Sequence, residues 1–87
     1  MALIERKAVS TSAIELVRGR EASGSTVLLK NKGPNPCYLG NDAAVTSSTG
    51  AELATTDGYI RIDLDPDEVV YGICAAAESA AVHVVQS

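Results

Sequence analysis

Two cysteines and one histidine are the side chains with the chemistry of a nucleophile, a base or a metal ligand. Cys37 and Cys74 stand far apart and form no CxxC pair, and His83 is the only imidazole. Zinc sites draw on Cys and His ligands at short spacings, and this spacing offers no such set. We therefore expect no metal site, and the sequence favours two buried free thiols over a disulfide between Cys37 and Cys74. Cys37 or Cys74 acting as a nucleophile with His83 as its base is the least favoured interpretation.

A run of alternating acids, Asp63-x-Asp65-x-Asp67, matches the opening of a calcium-binding loop. Such a loop needs glycine at its sixth position for a sharp turn and a bidentate glutamate at its twelfth. Here the sixth position is Glu68, and Pro66 stiffens the middle. The pattern therefore predicts a solvated acidic turn between two strands.

Other catalytic patterns are missing from the sequence. No serine lies in a Gly-x-Ser-x-Gly elbow, and there is no glycine-rich phosphate loop. An active site needs a convergent set of titratable residues, which this sequence does not indicate. We expect a protein that is not an enzyme, with no catalytic residues and no cofactor.

The charge balance bears on the class of partner. The 87 residues carry a net charge of −4, and the isoelectric point is about 4.7. An acidic chain repels phosphate backbones and anionic headgroups. The basic pairs Arg18 with Arg20 and Lys30 with Lys32 have the spacing of a solvated strand face. We expect neither nucleic acid nor membrane as a partner.

The first nine residues hold the candidate interface. An apolar Leu3-Ile4 pair stands beside the cations Arg6 and Lys7. Charges arrive too early for a secretory signal, and no apolar run has the length of a membrane span, so we expect synthesis in a cytoplasm. Residues 1–9 are interpreted either as an interface arm or as an edge strand, with Leu3, Ile4, Arg6 and Lys7 as candidate contact residues.

A period of two dominates the rest of the chain. Ile60, Ile62 and Leu64 share one face of a strand at 59–64, which predicts a half-buried antiparallel strand. The strand at 68–75 is apolar on both faces and is predicted to be central, and 80–86 forms the last strand. Further strands or short extended elements are predicted at 3–9, 13–17, 25–31, 37–39, 43–46 and 51–54.

Turn chemistry separates these strands. Residues 31–36 are interpreted as a turn, and 75–81 as the tip of a hairpin, although alanine favours helix there. A short helix over 13–17 is an alternative to a strand. The chain is therefore predicted to be a single all-β domain over 1–87, a small antiparallel β-sandwich, jelly roll or barrel of seven to nine short strands.

A distinctive series of short motifs runs through residues 25–86: Lys32-Gly33-Pro34-Asn35-Pro36-Cys37-Tyr38-Leu39-Gly40, then Val45-Thr46, Gly50, the strand at 58–64 and Val70-Tyr71-Gly72-Ile73. In these motifs the chain resembles small virion proteins of tailed bacteriophages. Domains of this kind serve as capsid decoration (cement) proteins, as head fibres, and as modules of tail and receptor-binding proteins. The resemblance brings no catalytic residues with it.

The resemblance implies a structural virion protein, most readily a decoration protein that binds the outer surface of the phage head and stabilises it. Its expected partners are the major capsid protein and further copies of itself, a trimer being favoured because a capsid offers local three-fold sites. It would be made in the host bacterial cytoplasm. The alternative is a tail-fibre or receptor-binding β module that recognises a glycan or protein on the host surface.

Overall fold

The computed structural model describes residues 3–21 and 23–86, which form eight β-strands and no helix. This confirms the all-β prediction. The strands are β1 (Leu3–Val9), β2 (Ile14–Arg18), β3 (Ser25–Pro34), β4 (Cys37–Gly40), β5 (Ala51–Leu53), β6 (Ile60–Leu64), β7 (Val69–Ile73) and β8 (Ala80–Gln86).

The strands form two antiparallel sheets of four, which makes the fold a β-sandwich. Sheet A has the order β1-β8-β3-β6, and sheet B has the order β2-β7-β4-β5. Only β4 and β5 follow each other within one sheet, and every other connection crosses from one sheet to the other. Most strand pairs are therefore brought together from distant parts of the chain.

The core lies between the sheets and is built from small aliphatic side chains. Alternation along β8 places Val82 and Val84 inside, while β3 contributes Val27 and Leu29, all fully buried. Sheet B supplies Leu16, Val17, Cys37, Leu53 and Val70 to the same cluster, together with Cys74 just after β7. β7 lies between β2 and β4, so the predicted central position of this strand is confirmed.

One buried amide connects the two sheets. Asn31 on β3 is fully buried, and its Nδ2 donates hydrogen bonds of 2.9 Å to the carbonyl oxygens of Leu53, on β5, and of Asn35. Its Oδ1 accepts a bond of 2.8 Å from the backbone N–H of Gly33. Because buried polar groups are costly unless paired, this residue specifies how the end of β3 meets sheet B.

Three local predictions are wrong. Residues 43–46 form no strand: they belong to the β4–β5 loop, which Val45 anchors by packing against Gly40. The predicted turn at 31–36 is mostly strand, because β3 continues to Pro34 through a register shift, with Gly33 at φ +88°.

The third error concerns 75–81: residues 75–79 form a turn that is not the tip of a hairpin, and Ala80 and Ala81 already belong to β8. β7 and β8 belong to different sheets, so this turn carries the chain across the sandwich. Its tight part has Ala77 at φ +63° and a bond from the Glu78 N–H to the Ala75 carbonyl. By contrast, 13–17 lies largely within strand β2, so the strand interpretation is confirmed over the helical one.

Candidate docking surface on the outer face of sheet A

The strand β1 divides the four predicted interface residues between its two sides. It pairs with β8 over seven residues, with Ile4 opposite Val85 and Arg6 opposite His83. Ile4, Val85, Arg6 and His83 all point away from the core, because Val82 and Val84, which alternate with His83 and Val85 along β8, point into it. Ile4 and Arg6 therefore lie together on the outer face of sheet A.

Leu3 and Lys7 lie on the other side of β1, in the row that continues the core-facing residues of β8. Lys7 Nζ lies 3.4 Å from a carboxylate oxygen of Glu5 in the same row. Charges that point inward along an edge strand disfavour addition of a further strand to that edge. The structure thus separates Ile4 and Arg6, on the exposed face, from Leu3 and Lys7.

The register across sheet A builds rows of side chains on this outer face. Leu28 of β3 lies opposite Val85 on one side and Arg61 on the other. The row is therefore Ile4, Val85, Leu28 and Arg61, taken from β1, β8, β3 and β6. The adjacent row contains Arg6, His83 and Lys30.

Tyr59 completes the apolar part of this face. It stands just before β6 and lines a shallow groove of about 230 Å³ with Ile4, Glu5, Arg6, His83 and Val85. Lys30 Nζ donates a bond of 2.9 Å to the backbone oxygen of Asp57, which ties the approach to β6 onto the sheet. We call Ile4, Leu28, Tyr59 and Val85 the outer patch.

The charges around the outer patch are mostly positive. All Lys, Arg, Asp and Glu residues of the chain fall in the described ranges, and three of the seven cations, Arg6, Lys30 and Arg61, lie in the outward rows, with the exposed Lys32 following on β3. Of the eleven acids, Asp63 lies in the outward rows, where its Oδ1 accepts bonds from Arg61 Nε at 3.3 Å and Thr26 Oγ1 at 3.0 Å, and Glu5 lines the groove from the other row of β1. The acidic protein thus has one face that is predominantly cationic.

The cysteines and the histidine are not brought together. Cys37 and Cys74 are free and buried in the core, as the favoured interpretation predicted, whereas His83 lies on the outer face of sheet A. Burial raises the pKa of the Cys37 thiol to about 12, and the nearby Cys74 adds to the shift. Burial also raises the pKa of Cys74, with a further contribution from Glu78. Both groups are held as thiols, the opposite of an activated nucleophile.

The acidic run at 63–67 is held in a backbone turn. Glu68 Oε1 accepts a bond from the Asp65 N–H at 3.0 Å, and the Glu68 N–H donates to the Asp65 carbonyl at 3.0 Å. Asp67, at φ +61°, donates its N–H to the Gly19 carbonyl. Within residues 3–21 and 23–86, no three His, Cys, Asp or Glu side chains are placed to hold a metal ion.

Of the outer patch only Ile4 was among the interface residues predicted from the sequence, and Leu28, Tyr59 and Val85 were not. The alternation at 59–64 does predict that Tyr59, Arg61 and Asp63 share the face opposite Ile60, Ile62 and Leu64, and the alternation at 80–86 places His83 and Val85 on one face. Only the register between β1, β8 and β3 shows that these faces are one surface.

Comparison with known proteins yields no relative: no protein-family model matches the chain, and no curated protein is similar to it. In the described part of the chain, no helix has the length and apolarity needed to cross a membrane.

Proposed function

We propose that this protein is a structural virion protein of a tailed bacteriophage, which decorates the outer surface of the head and stabilises it without catalysing a reaction. The observation that carries the proposal is the outer patch, where Ile4 is 73% and Tyr59 52% exposed. Exposed apolar clusters on a folded domain mark surfaces that bind other macromolecules. The resemblance of residues 25–86 to small virion proteins supports the head as the location.

Stabilisation of the head follows from thermodynamic linkage between binding of the protein and assembly of the shell. A protein that binds the assembled shell, and not its separated subunits, stabilises the shell by mass action. A trimer placed on a local three-fold position engages several capsid subunits at once, so weak individual contacts reinforce each other. Small domains at high copy number suit this role because each contributes one rigid face.

Head decoration predicts binding to phage heads, whereas a tail-fibre or receptor-binding role predicts binding to host cells, so measuring both distinguishes the two roles. The purified protein is mixed with expanded, emptied heads of the phage that encodes it and, separately, with host cells, and each mixture is sedimented. We expect saturable binding to the emptied heads, and DNA-filled heads decorated with the protein should release their DNA at a higher temperature than undecorated ones.

Binding to host cells with no binding to heads would favour the tail-fibre or receptor-binding alternative. Absence of both would remove both roles. Electron microscopy of decorated heads then gives the oligomeric state, for which we expect a trimer.

A further inference from the structure

We infer that the outer face of sheet A is the surface that meets the capsid, and that its partner is a protein surface with an apolar centre and a carboxylate-rich rim. The inference rests on the proposed function, and it adds which side of the sandwich docks and what chemistry receives it. It draws on three properties of this face: exposed apolar side chains, excess positive charge and the shape of the sheet.

The apolar side chains of the molecule's surface concentrate here. Four large hydrophobic side chains are exposed within the described residues, and three of them, Ile4, Leu28 and Tyr59, lie on this face. The fourth, Leu3, lies on the other side of β1. Val85, which is half-buried, fills the space between Ile4 and Leu28. A central apolar contact of this kind gives most of the affinity in protein interfaces.

The rim charges select the partner. Arg6, Lys30 and Arg61 border the patch, whereas the acids at this face are Asp63, which is paired with Arg61, and Glu5, which lines the groove. Carboxylates opposite these cations would steer binding and fix orientation. A capsid surface with an apolar centre would match the outer patch, and acids around that centre would match the cations that border the patch.

A protein fits this face better than a nucleic acid or an anionic membrane does. A sheet of four strands is only about 15–20 Å wide, so an extended polyanion would reach past it to the acids of the loops, including Asp57, Asp65 and Asp67. A single aromatic side chain, Tyr59, gives no series of stacking platforms for bases.

A second copy of this chain does not fit the face either. Packing the face on itself would oppose Arg6, Lys30 and Arg61 of one copy to the same cations of the other. Packing it on the outer face of sheet B would join opposite sides of the sandwich, and such head-to-tail contacts repeat into an open stack, not a closed trimer. The occupant is therefore a different protein.

Docking through sheet A has a consequence for orientation. Sheet B, with the exposed loop at 41–50 that joins β4 to β5, then faces away from the shell. A short tag inserted after Ser48 is expected to leave head binding unchanged and to lie on the outside of decorated heads.

Two matched pairs of variants test the face. Arg6→Gln/Lys30→Gln removes two charges from it, and Arg18→Gln/Arg20→Gln removes two charges from β2 and the loop after it. Ile4→Ser truncates the patch, and Leu3→Ser makes a similar change at the next residue, on the other side of β1. Thermal unfolding of each variant establishes that it is folded before its affinity for heads is measured at several salt concentrations.

We expect Ile4→Ser and Arg6→Gln/Lys30→Gln each to weaken head binding about tenfold or more, with both controls within about threefold of wild type. The salt dependence should decrease only in Arg6→Gln/Lys30→Gln. Equal losses in the two double variants, or no loss in Ile4→Ser, would overturn the face assignment while leaving the proposed function in place.

Failure of the wild-type protein to bind heads would instead remove the proposed function, and the assignment of the face to the capsid with it. Vesicles of phosphatidylserine and phosphatidylcholine and a DNA duplex serve as further probes. Binding to either that is as tight as to heads, and lost in Arg6→Gln/Lys30→Gln, would overturn the choice of a protein partner.

Discussion

Sheet A and sheet B bury similar side chains but are built differently. Strands of five to ten residues form sheet A, and β1 pairs with β8 in unbroken register over seven residues. Strands of three to five residues form sheet B, where β2 has a bulge between Glu15 and Val17. Long strands hold side chains in fixed positions, and the register shift of sheet A, between Asn31 and Pro34, lies beyond the rows of the outer patch, so sheet A is the better platform for a rigid docking face.

The outer faces differ in the same direction. On sheet B, Tyr38, Tyr71 and Ile73 are half-buried, and Arg18 is paired with Glu15 at 2.9 Å. On sheet A the apolar side chains are more exposed, and cations outnumber acids. These differences favour the outside of sheet A as the binding face, whereas sheet B closes the core and carries loops.

The largest effect is expected at the centre of sheet A. Leu29→Ala removes a fully buried side chain from β3 and should lower the free energy of unfolding by about 2–5 kcal/mol. Leu39→Ala, in the half-buried end of β4, should cost about half as much. Urea unfolding of both variants measures the difference.

Leu28→Ala is the matched control for this comparison, because Leu28 is the neighbour of Leu29 on the opposite face of β3. It should cost less than about 1 kcal/mol in stability while weakening head binding. Equal stability losses at 28 and 29 would mean that the two faces of sheet A are not divided as described.

The next effect is at the contact between the sheets. Asn31→Ala leaves the Leu53 carbonyl and the Gly33 N–H without their buried partner, so we expect a loss of about 2–3 kcal/mol. Asn31→Asp should be worse, because a carboxylate would face two carbonyl oxygens without a proton to donate. Asn41→Ala, on the exposed loop, is the control and should be nearly neutral. A loss in Asn31→Ala no larger than in Asn41→Ala would contradict the role of this amide.

The sequence predicted the strands better than their arrangement. Alternation in 59–64 and 80–86 identifies inner and outer residues, because the period of a strand is local. The prediction of a hairpin tip at 75–81 was wrong, because no local feature of the sequence distinguishes a turn within one sheet from a turn that crosses between two sheets. Tyr59, Leu28 and Ile4 come from three strand regions, so their meeting on one face depends on cross-strand register and could not be predicted from spacing.

A smaller effect separates the two ends of β6. Gly24 has φ +69°, and a Cβ there would clash with the Leu64 carbonyl oxygen, so Gly24→Ala should cost at least about 1–2 kcal/mol. Gly58, near the other end of β6, has open space around its Cα, and Gly58→Ala should change stability by less than about 0.5 kcal/mol. Thermal unfolding of the two variants gives the comparison, and similar melting temperatures would contradict it.

The smallest effect is expected from the thiols of sheet B, and it depends on pH. In the folded protein burial raises the pKa of Cys37 to about 12, whereas an unfolded thiol titrates near pH 9. Above pH 9 the unfolded chain releases this proton first, so the unfolded state binds fewer protons and stability falls as pH rises. Below pH 9 the contribution is fully present.

Unfolding of wild type and Cys37→Ala between pH 7 and 11 isolates this contribution, because the two proteins differ only at position 37. We expect the variant to be less stable at pH 7, since it leaves a small cavity, but to lose less stability between pH 9 and 11. Parallel pH curves would mean that Cys37 is ionised in the folded state, and the core of sheet B would then be open to water. Thiol labelling supplies an independent check, since Cys37 and Cys74 should both react only when the protein unfolds.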